Sequence, residues 1–303
     1  MINLSVKVGR LKLSNPVLVA SGTFGYGEEF KDLINPDKLG AIITKTITLL
    51  PRQGNPMPRI IETPCGLLNS IGLQNEGIDS FIKRKIPYLA EVSAKVIVSI
   101  AGESAEEFKR LTEILDRKNA VDAIELNLSC PNIRGRTTII AQDPKTTYQT
   151  VRAARKSTKK TLIAKLSPNV TDIVCIARSA YDAGCDALSL INTVYGMSVD
   201  LEKKAPHLAG VWGGLSGPAI KPIALYTVCQ VARKIKLPII GIGGVMNAGD
   251  ALEFILAGAT AIEVGTANFV NPRASIEIVA GIKQYLIKHK IKDIKNLIGA
   301  LKI

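Results

Sequence analysis

Histidine is scarce in this chain: 303 residues carry only His207 and His289. Ser–His–Asp hydrolysis and an HExxH zinc site therefore have almost no raw material. Cysteine is sparse and scattered, at positions 65, 130, 175, 185 and 229, with no CxxC pair. That pattern argues against a disulfide framework, a structural zinc site or an iron–sulfur cluster held by this chain, so no metal is expected. Aromatic residues make up 5% of the chain, which leaves few stacking platforms for single-stranded nucleic acid. No apolar run approaches the roughly 18–20 residues that span a bilayer. The opening stretch MINLSVKVGRLKL alternates apolar and polar residues, unlike a signal or transit peptide, and the expected location is the cytoplasm. Acidic residues are the minority: 26 Asp and Glu against 39 Lys and Arg leave a net charge of +13. The basic residues are spread out. Their densest run, 283–302, alternates lysine with Leu and Ile at helical spacing, as a solvated helix face does. Nucleic acid is not an expected partner, although a positive field attracts small anionic ligands.

What the chain does have is 47% hydrophobic and 21% charged residues, an ordinary globular balance. Eight short β-branched runs stand out, at 16–22, 41–46, 95–102, 123–132, 161–169, 186–193, 238–244 and 261–267. Near-continuous apolar runs suit parallel strands covered on both faces. Helical patterns lie between them at 103–116, 144–156, 172–183, 218–234, 248–256 and 272–288. Asp143 before Pro144 reads as an N-cap with proline in the first turn. Gly184 and Gly258 stand where left-handed C-caps are expected. Eight strands alternating with helices predict a (β/α)8 TIM barrel, and no linker splits residues 1–303, so one domain is expected. Residues 4–16 predict a short N-terminal β-hairpin closing the barrel bottom. The Gly-, Pro- and Asn-rich stretch 51–77 reads as an insert at the C-terminal face, forming an irregular wall over the mouth.

Active sites of such barrels lie at the C-terminal strand ends. Collected there are Ser21, Lys45 with Thr46, Ser99, Asn127 with Cys130, Lys165, Asn192 with Thr193, Gly243 with Gly244, and Gly265 with Thr266. The glycines ending the last two strands mark the usual phosphate position of barrels. Lys45 and Lys165 each end an apolar strand, where an unpartnered ammonium is costly. Each is read as a fixed cation facing a substrate carboxylate or a reduced flavin ring; a Schiff-base lysine, as in barrel aldolases, is the alternative. Asn127, Asn132 and Asn192 both donate and accept, and together would suit a ring bearing N–H and C=O groups, such as a pyrimidine. Cys130, in a polar loop past the fourth strand, is a candidate base, because a thiol titrates near 8.5 and can be activated. Cys175, Cys185 and Cys229 fall in or beside helical patterns and are read as core.

The segments ETPCGLLNSIGLQNEG, NLSCPN, AKLSPN, INT, GGLSGPAIKPIAL, GIGG and AIEVGTA, in that order from Val17 to the end, together resemble the dihydroorotate dehydrogenase family. The resemblance implies a barrel carrying one FMN that oxidises (S)-dihydroorotate to orotate in pyrimidine biosynthesis. In soluble class 1 members the base is a cysteine in the SCPN loop, which maps onto Cys130. Ser21, Lys45, Thr46, Ser99, Asn127, Lys165, Ile191, Gly217, Gly243, Gly244, Gly265 and Thr266 match the flavin contacts. Ser99 replaces the family's usual asparagine. Lys45, Asn69, Ser70, Ile71, Gly72, Leu73, Asn127, Asn132, Asn192 and Thr193 match the substrate contacts. Segment 133–144 lacks the Gly-Gly and Phe-Gly usual after the catalytic cysteine. SIGLQNEG and GGLSGPAIKPIAL are more similar to the NAD-linked type B than to the fumarate-using type A. Type B implies a partner subunit bearing FAD and a 2Fe–2S cluster, in a heterotetramer built on a homodimer of catalytic chains. The alternatives within reach are the type A enzyme, another pyrimidine-reducing flavoenzyme, and, more distantly, the aldolase using Lys165.

Overall fold

Valine, isoleucine, leucine and alanine dominate eight short strands, and their burial on both faces is what lets a parallel sheet close on itself. The computed structural model describes residues 2–129 and 140–302. The strands are β1 (Val17–Val19), β2 (Ala41–Ile43), β3 (Lys95–Ile100), β4 (Ala123–Asn127), β5 (Thr161–Lys165), β6 (Ala187–Leu190), β7 (Ile239–Ile242) and β8 (Ala261–Val264). Each pairs in parallel with its sequence neighbours, and β8 returns to β1 through Ile262 opposite Val17, so the barrel is closed. All eight expected strands are present, and the fold is the expected (β/α)8 barrel.

The outer helices that follow are α1 (Gly77–Arg84), α2 (Ala105–Asp116), α3 (Pro144–Lys156), α4 (Ile173–Asp182), α5 (Lys221–Lys234), α6 (Ala248–Leu256) and α7 (Ala274–Lys288). Their starts follow capping chemistry. The Asp143 carboxylate accepts from the Thr146 N–H at 2.8 Å, with Pro144 in the first turn. Asp172 accepts from Val174 and Cys175 N–H, and Asn247 with Asp250 makes a reciprocal capping box. These side chains satisfy donors that the first helical turn leaves open. Gly184 and Gly258 adopt φ of +98° and +117°, the left-handed stops expected of them.

At the N-terminal end of the barrel, Val6–Val8 and Leu11–Leu13 form the antiparallel hairpin. Its turn rests on the starts of β5 and β6, with the Arg10 N–H donating to Thr161 Oγ1 at 3.0 Å. At the opposite end the structure corrects the expectation for 51–77. Its middle part is an antiparallel hairpin, Ile60–Thr63 with Gly66–Asn69, while the flanking residues are irregular as expected. Gly66–Asn69 pairs with Gly213–Ser216, which pairs in turn with Val194–Gly196. The backbone of an insert raised above the mouth needs hydrogen-bond partners. Here a second insert, after β6, supplies them, a pairing too distant in sequence to show in local pattern.

Among the other cysteines, Cys185 is buried and burial pushes its thiol up to about 12. Cys229 is half-buried and packs against the core, whereas Cys175 is exposed, so of the three only Cys175 departs from the core reading. Cys175 lies on the outward face of α4, which the periodicity alone did not separate from the inward one. Among the described residues no helix is long and apolar enough to cross a membrane.

Candidate active site at the barrel mouth

The C-terminal strand ends and the two inserts enclose a cavity of about 410 Å³, within the size range of small-molecule and cofactor sites. The barrel strands or the loops just beyond them bring Ser21, Lys45, Thr46, Asn127, Lys165, Ile191, Asn192, Thr193, Gly243, Gly244, Gly265 and Thr266 to its wall. The first insert adds Asn69, Ser70, Ile71, Gly72 and Leu73, and the second adds Gly217. Every expected site residue that is described therefore lines one cavity, except Ser99. Ser99 is fully buried beneath the floor, where its hydroxyl meets Thr46 Oγ1 at 3.0 Å and Glu125 Oε1 at 3.1 Å. Its shorter side chain bonds downward into the barrel instead of reaching the cavity. Cys130 and Asn132 lie outside the described residues.

Charge is concentrated at Lys165. Its Nζ donates to Glu263 Oε2 at 3.1 Å and stands 3.6 Å from Glu125 Oε1. Burial would strip the proton from this lysine, but the two carboxylates outweigh it and hold the ammonium above its ordinary range. Lys45 differs. It is half-buried, and its Nζ has no hydrogen-bond or ion-pair partner among the described residues. Its affinity for a proton is lowered, chiefly by burial, with Glu29 opposing and Arg59 adding to the effect. An unpartnered cation on a cavity wall is electrostatically suited to an anion.

The asparagines are linked. Asn192 Nδ2 donates to Asn127 Oδ1 at 3.2 Å, and Asn127 Nδ2 donates to Thr46 Oγ1 at 3.4 Å. Asn169, to which no role was assigned from sequence, bridges Ser167 Oγ and the Thr193 carbonyl at 3.1 and 3.0 Å. Asn69 Nδ2 donates to the Gly214 carbonyl at 3.3 Å, tying the two inserts together.

Two features suggest that the cavity is built for a ligand. Thr23 Oγ1 and Ser129 Oγ are buried hydroxyls with no partner among the described residues, and both residues line it. Such orphans are rare enough to need a cause. At Gly22 and Gly265 an added Cβ would meet nothing within 4 Å and only Ala20 Cβ at 3.6 Å, respectively, so backbone faces open space there. By contrast Gly244, at φ +74°, would drive a Cβ to 2.7 Å from Lys221 Cβ; it must be glycine for the loop to form.

Sequence reasoning missed Glu125, Ser189 and Glu263, which lie under the floor. A signal was present: AIELN and AIEV each place a carboxylate inside an otherwise apolar strand, where an isolated charge is costly.

A closed parallel barrel whose polar side chains, free lysine and open glycine backbones converge at the C-terminal mouth defines a (β/α)8-barrel enzyme with a site for an anionic small molecule or cofactor. The chain matches the family model for dihydroorotate dehydrogenase over residues 3–286. It is 56% identical over 301 residues to the dihydroorotate dehydrogenase B (NAD(+)) catalytic subunit of Geotalea daltonii, covering 99% of each chain. It is likewise 56% identical over 298 residues to the Trichlorobacter lovleyi protein of that name, covering 98% of each. A crystal structure of DHODH in complex with ferulenol from Eimeria tenella has the same fold, with a TM-score of 0.82 at 24% identity over 98% of this chain and 88% of that one. The chain belongs to the dihydroorotate dehydrogenase family.

Proposed function

We propose that this chain is the catalytic subunit of an NAD-linked dihydroorotate dehydrogenase, acting as one domain over residues 1–303 in the cytoplasm and oxidising (S)-dihydroorotate to orotate. The observation that carries this is end-to-end identity of 56% with subunits of that name. An FMN site fits the cavity: the orphan hydroxyls of Thr23 and Ser129 and the open backbone at Gly22 and Gly265 are features a bound ring and phosphate would use. Bound FMN would supply the acceptor for the hydride that leaves C6 of the substrate.

The chain's own residues do the rest. Cys130 takes the proton from C5 as thiolate, and the C5–C6 double bond forms as the proton and hydride depart. Lys165, held charged, stabilises negative charge developing beside it, an electrostatic contribution made without reorganisation. Lys45 offers its free ammonium to the substrate carboxylate. Asn69, Asn127, Asn132, Asn192 and Thr193, with the segment from Ser70 to Leu73, orient the pyrimidine. Gly243, Gly244, Gly265 and Thr266 take the phosphate, while Ser21, Thr46, Ile191 and Gly217 border the flavin. Electrons reach NAD through a partner subunit carrying FAD and a 2Fe–2S cluster, in an assembly of two copies of each chain. The Schiff-base alternative is disfavoured, because that chemistry needs a neutral amine and Lys165 is paired with two carboxylates.

Anaerobic titration of the purified chain with dihydroorotate tests this directly. Bleaching of a bound flavin band near one equivalent is the expected result. A yellow protein that dihydroorotate cannot bleach would overturn the substrate, and a colourless chain that stays inert after FMN is added would overturn the flavin. Cys130→Ala should keep its flavin and lose reduction rate by about 10²–10⁴-fold, the usual worth of a positioned base. Reduction at full speed in that variant would remove Cys130 from the mechanism.

A further inference from the structure

The hydrogen bonds beneath the cavity floor have a determinable direction. The Asn192 amide oxygen accepts from the Thr193 N–H at 2.8 Å, so its Nδ2 is the group that donates to Asn127 Oδ1. Asn127 Oδ1 also accepts from the Ser129 N–H at 3.4 Å, which leaves its Nδ2 to donate to Thr46 Oγ1. Ser99 gives its proton to Glu125 Oε1 at 3.1 Å, so at the 3.0 Å contact between the two hydroxyls Ser99 accepts and Thr46 donates. On the other side, Ser189 Oγ lies 3.0 Å from Glu125 Oε2 and 3.3 Å from Glu263 Oε1. A hydroxyl has one proton to give. If it goes to Glu125, the shorter contact, then Glu263 must donate to Ser189, because two ionised carboxylates would leave one contact with no proton in it.

Charge counting leads to the same place. Glu125 and Glu263 are 0% and 1% exposed, and among the described residues Lys165 is the one cation within reach of both. Among the described residues, the flanking strands β3, β7 and β1 bring no other ionisable side chain to this layer; β3 contributes Ser99, and β6 contributes Ser189. Two carboxylates and one ammonium would leave an uncompensated negative charge in the barrel interior, which is costly. Two buried carboxylates that share one ammonium and one hydroxyl are relieved when the pair keeps one proton.

We propose that Glu125 and Glu263 together hold a single proton, carried on Glu263 Oε1 and donated to Ser189, so that Glu125 is the ionised end of a directed chain running down from Asn192 and Asn127. Glu125, Glu263, Ser189 and Ser99 are then positioning residues. They keep Lys165 charged and present the Asn127 and Asn192 amides to the cavity in one orientation. The behaviour of Glu263 agrees. Burial, then the charge of Glu125, raises it above the ordinary carboxylate range despite the ammonium beside it.

The proton belongs to the chain whether or not the flavin assignment holds, so its test is separate from dihydroorotate bleaching. Infrared spectra of the purified holoenzyme at neutral pH should contain a carbonyl band of a protonated carboxylic acid that shifts in D₂O. E263Q should lose that band. E125Q should lose it too, because the remaining glutamate then ionises against Lys165. Melting provides a second measurement. A raised folded-state value means the folded chain binds the extra proton. This stability is complete below the ordinary glutamate range, about 4.3, and is lost as pH rises toward the raised value. E263Q should flatten that part of the melting profile. No acid band in the unsubstituted enzyme, a band that survives in E263Q, or an unchanged melting profile in E263Q would each overturn the shared proton.

Discussion

At Lys165 the barrel reverses what burial alone would do. An ammonium 5% exposed should lose its proton, and the carboxylates of Glu125 and Glu263 prevent this. Lys45, on the same wall without such partners, is shifted the other way. The two lysines that look equivalent in AIITK and LIAK are therefore electrostatically distinct, one a fixed charge and the other a free cation awaiting an anion. Glycine is similarly divided. Gly244 is required by its φ, whereas Gly265 is free of that constraint and faces open space. Gly265→Leu should therefore leave the fold intact, with melting within a few degrees of the parent, while its side chain enters the cavity. Overpacking of about 1–3 kcal/mol corresponds to FMN retention roughly ten- to hundredfold weaker. Equilibrium dialysis of the flavin checks it, and unchanged affinity would place the flavin elsewhere.

At the scale of elements, the helices carry their own start and stop instructions. Asp143, Asp172 and Asn247 supply caps, and Gly258 ends α6 in a left-handed conformation at φ +117°. A Cβ at Gly258 would fall 2.5 Å from Ala232 Cβ on α5. Gly258→Ala should thus destabilise by about 1–3 kcal/mol, combining backbone strain with a close contact. A lower urea midpoint with an unchanged slope would register it, and flavin reduction by dihydroorotate should be unaffected while the chain is folded. Caps and glycines such as these are local, and they were legible: α3 and α6 begin and end where periodicity and capping placed them. The four-stranded sheet over the mouth was not legible. Its strands are three or four residues long and join segments near residues 60, 66, 194 and 213. Neither insert has a strong alternation of its own: each forms a short hairpin, and only the central ladder, Gly66–Asn69 with Gly213–Ser216, joins the two into one sheet.

For the molecule as a whole, the proposed assembly makes a prediction about electron flow. Among the described residues there is no group of His, Cys, Asp and Glu that could hold a metal ion, and the five cysteines of the chain are scattered. The isolated chain loaded with FMN should be bleached by dihydroorotate but not by NADH. Adding the electron-transfer subunit should restore reduction by NADH. Rapid bleaching of the lone chain by NADH would count against a partner-borne route. The high positive charge, +13, accords with attraction of anionic ligands, though no residue-level feature of the structure requires so much of it.

The barrel is written in the chain, because eight apolar runs of strand length separated by helical periodicity allow few other closed arrangements. Most of the cavity wall is written there too, because a barrel presents its strand ends at one mouth and the motif residues stand at those ends. Which polar residues face that mouth and which lie beneath it depends on how the strands come together. Ser99 sits at a strand end like Asn127, yet it points into the interior toward Glu125. Glu125 and Glu263 are separated by most of the barrel's sequence, yet they meet at a single ammonium. Pattern along one strand reports burial, whereas partnership between strands depends on barrel closure and register, which no single strand encodes.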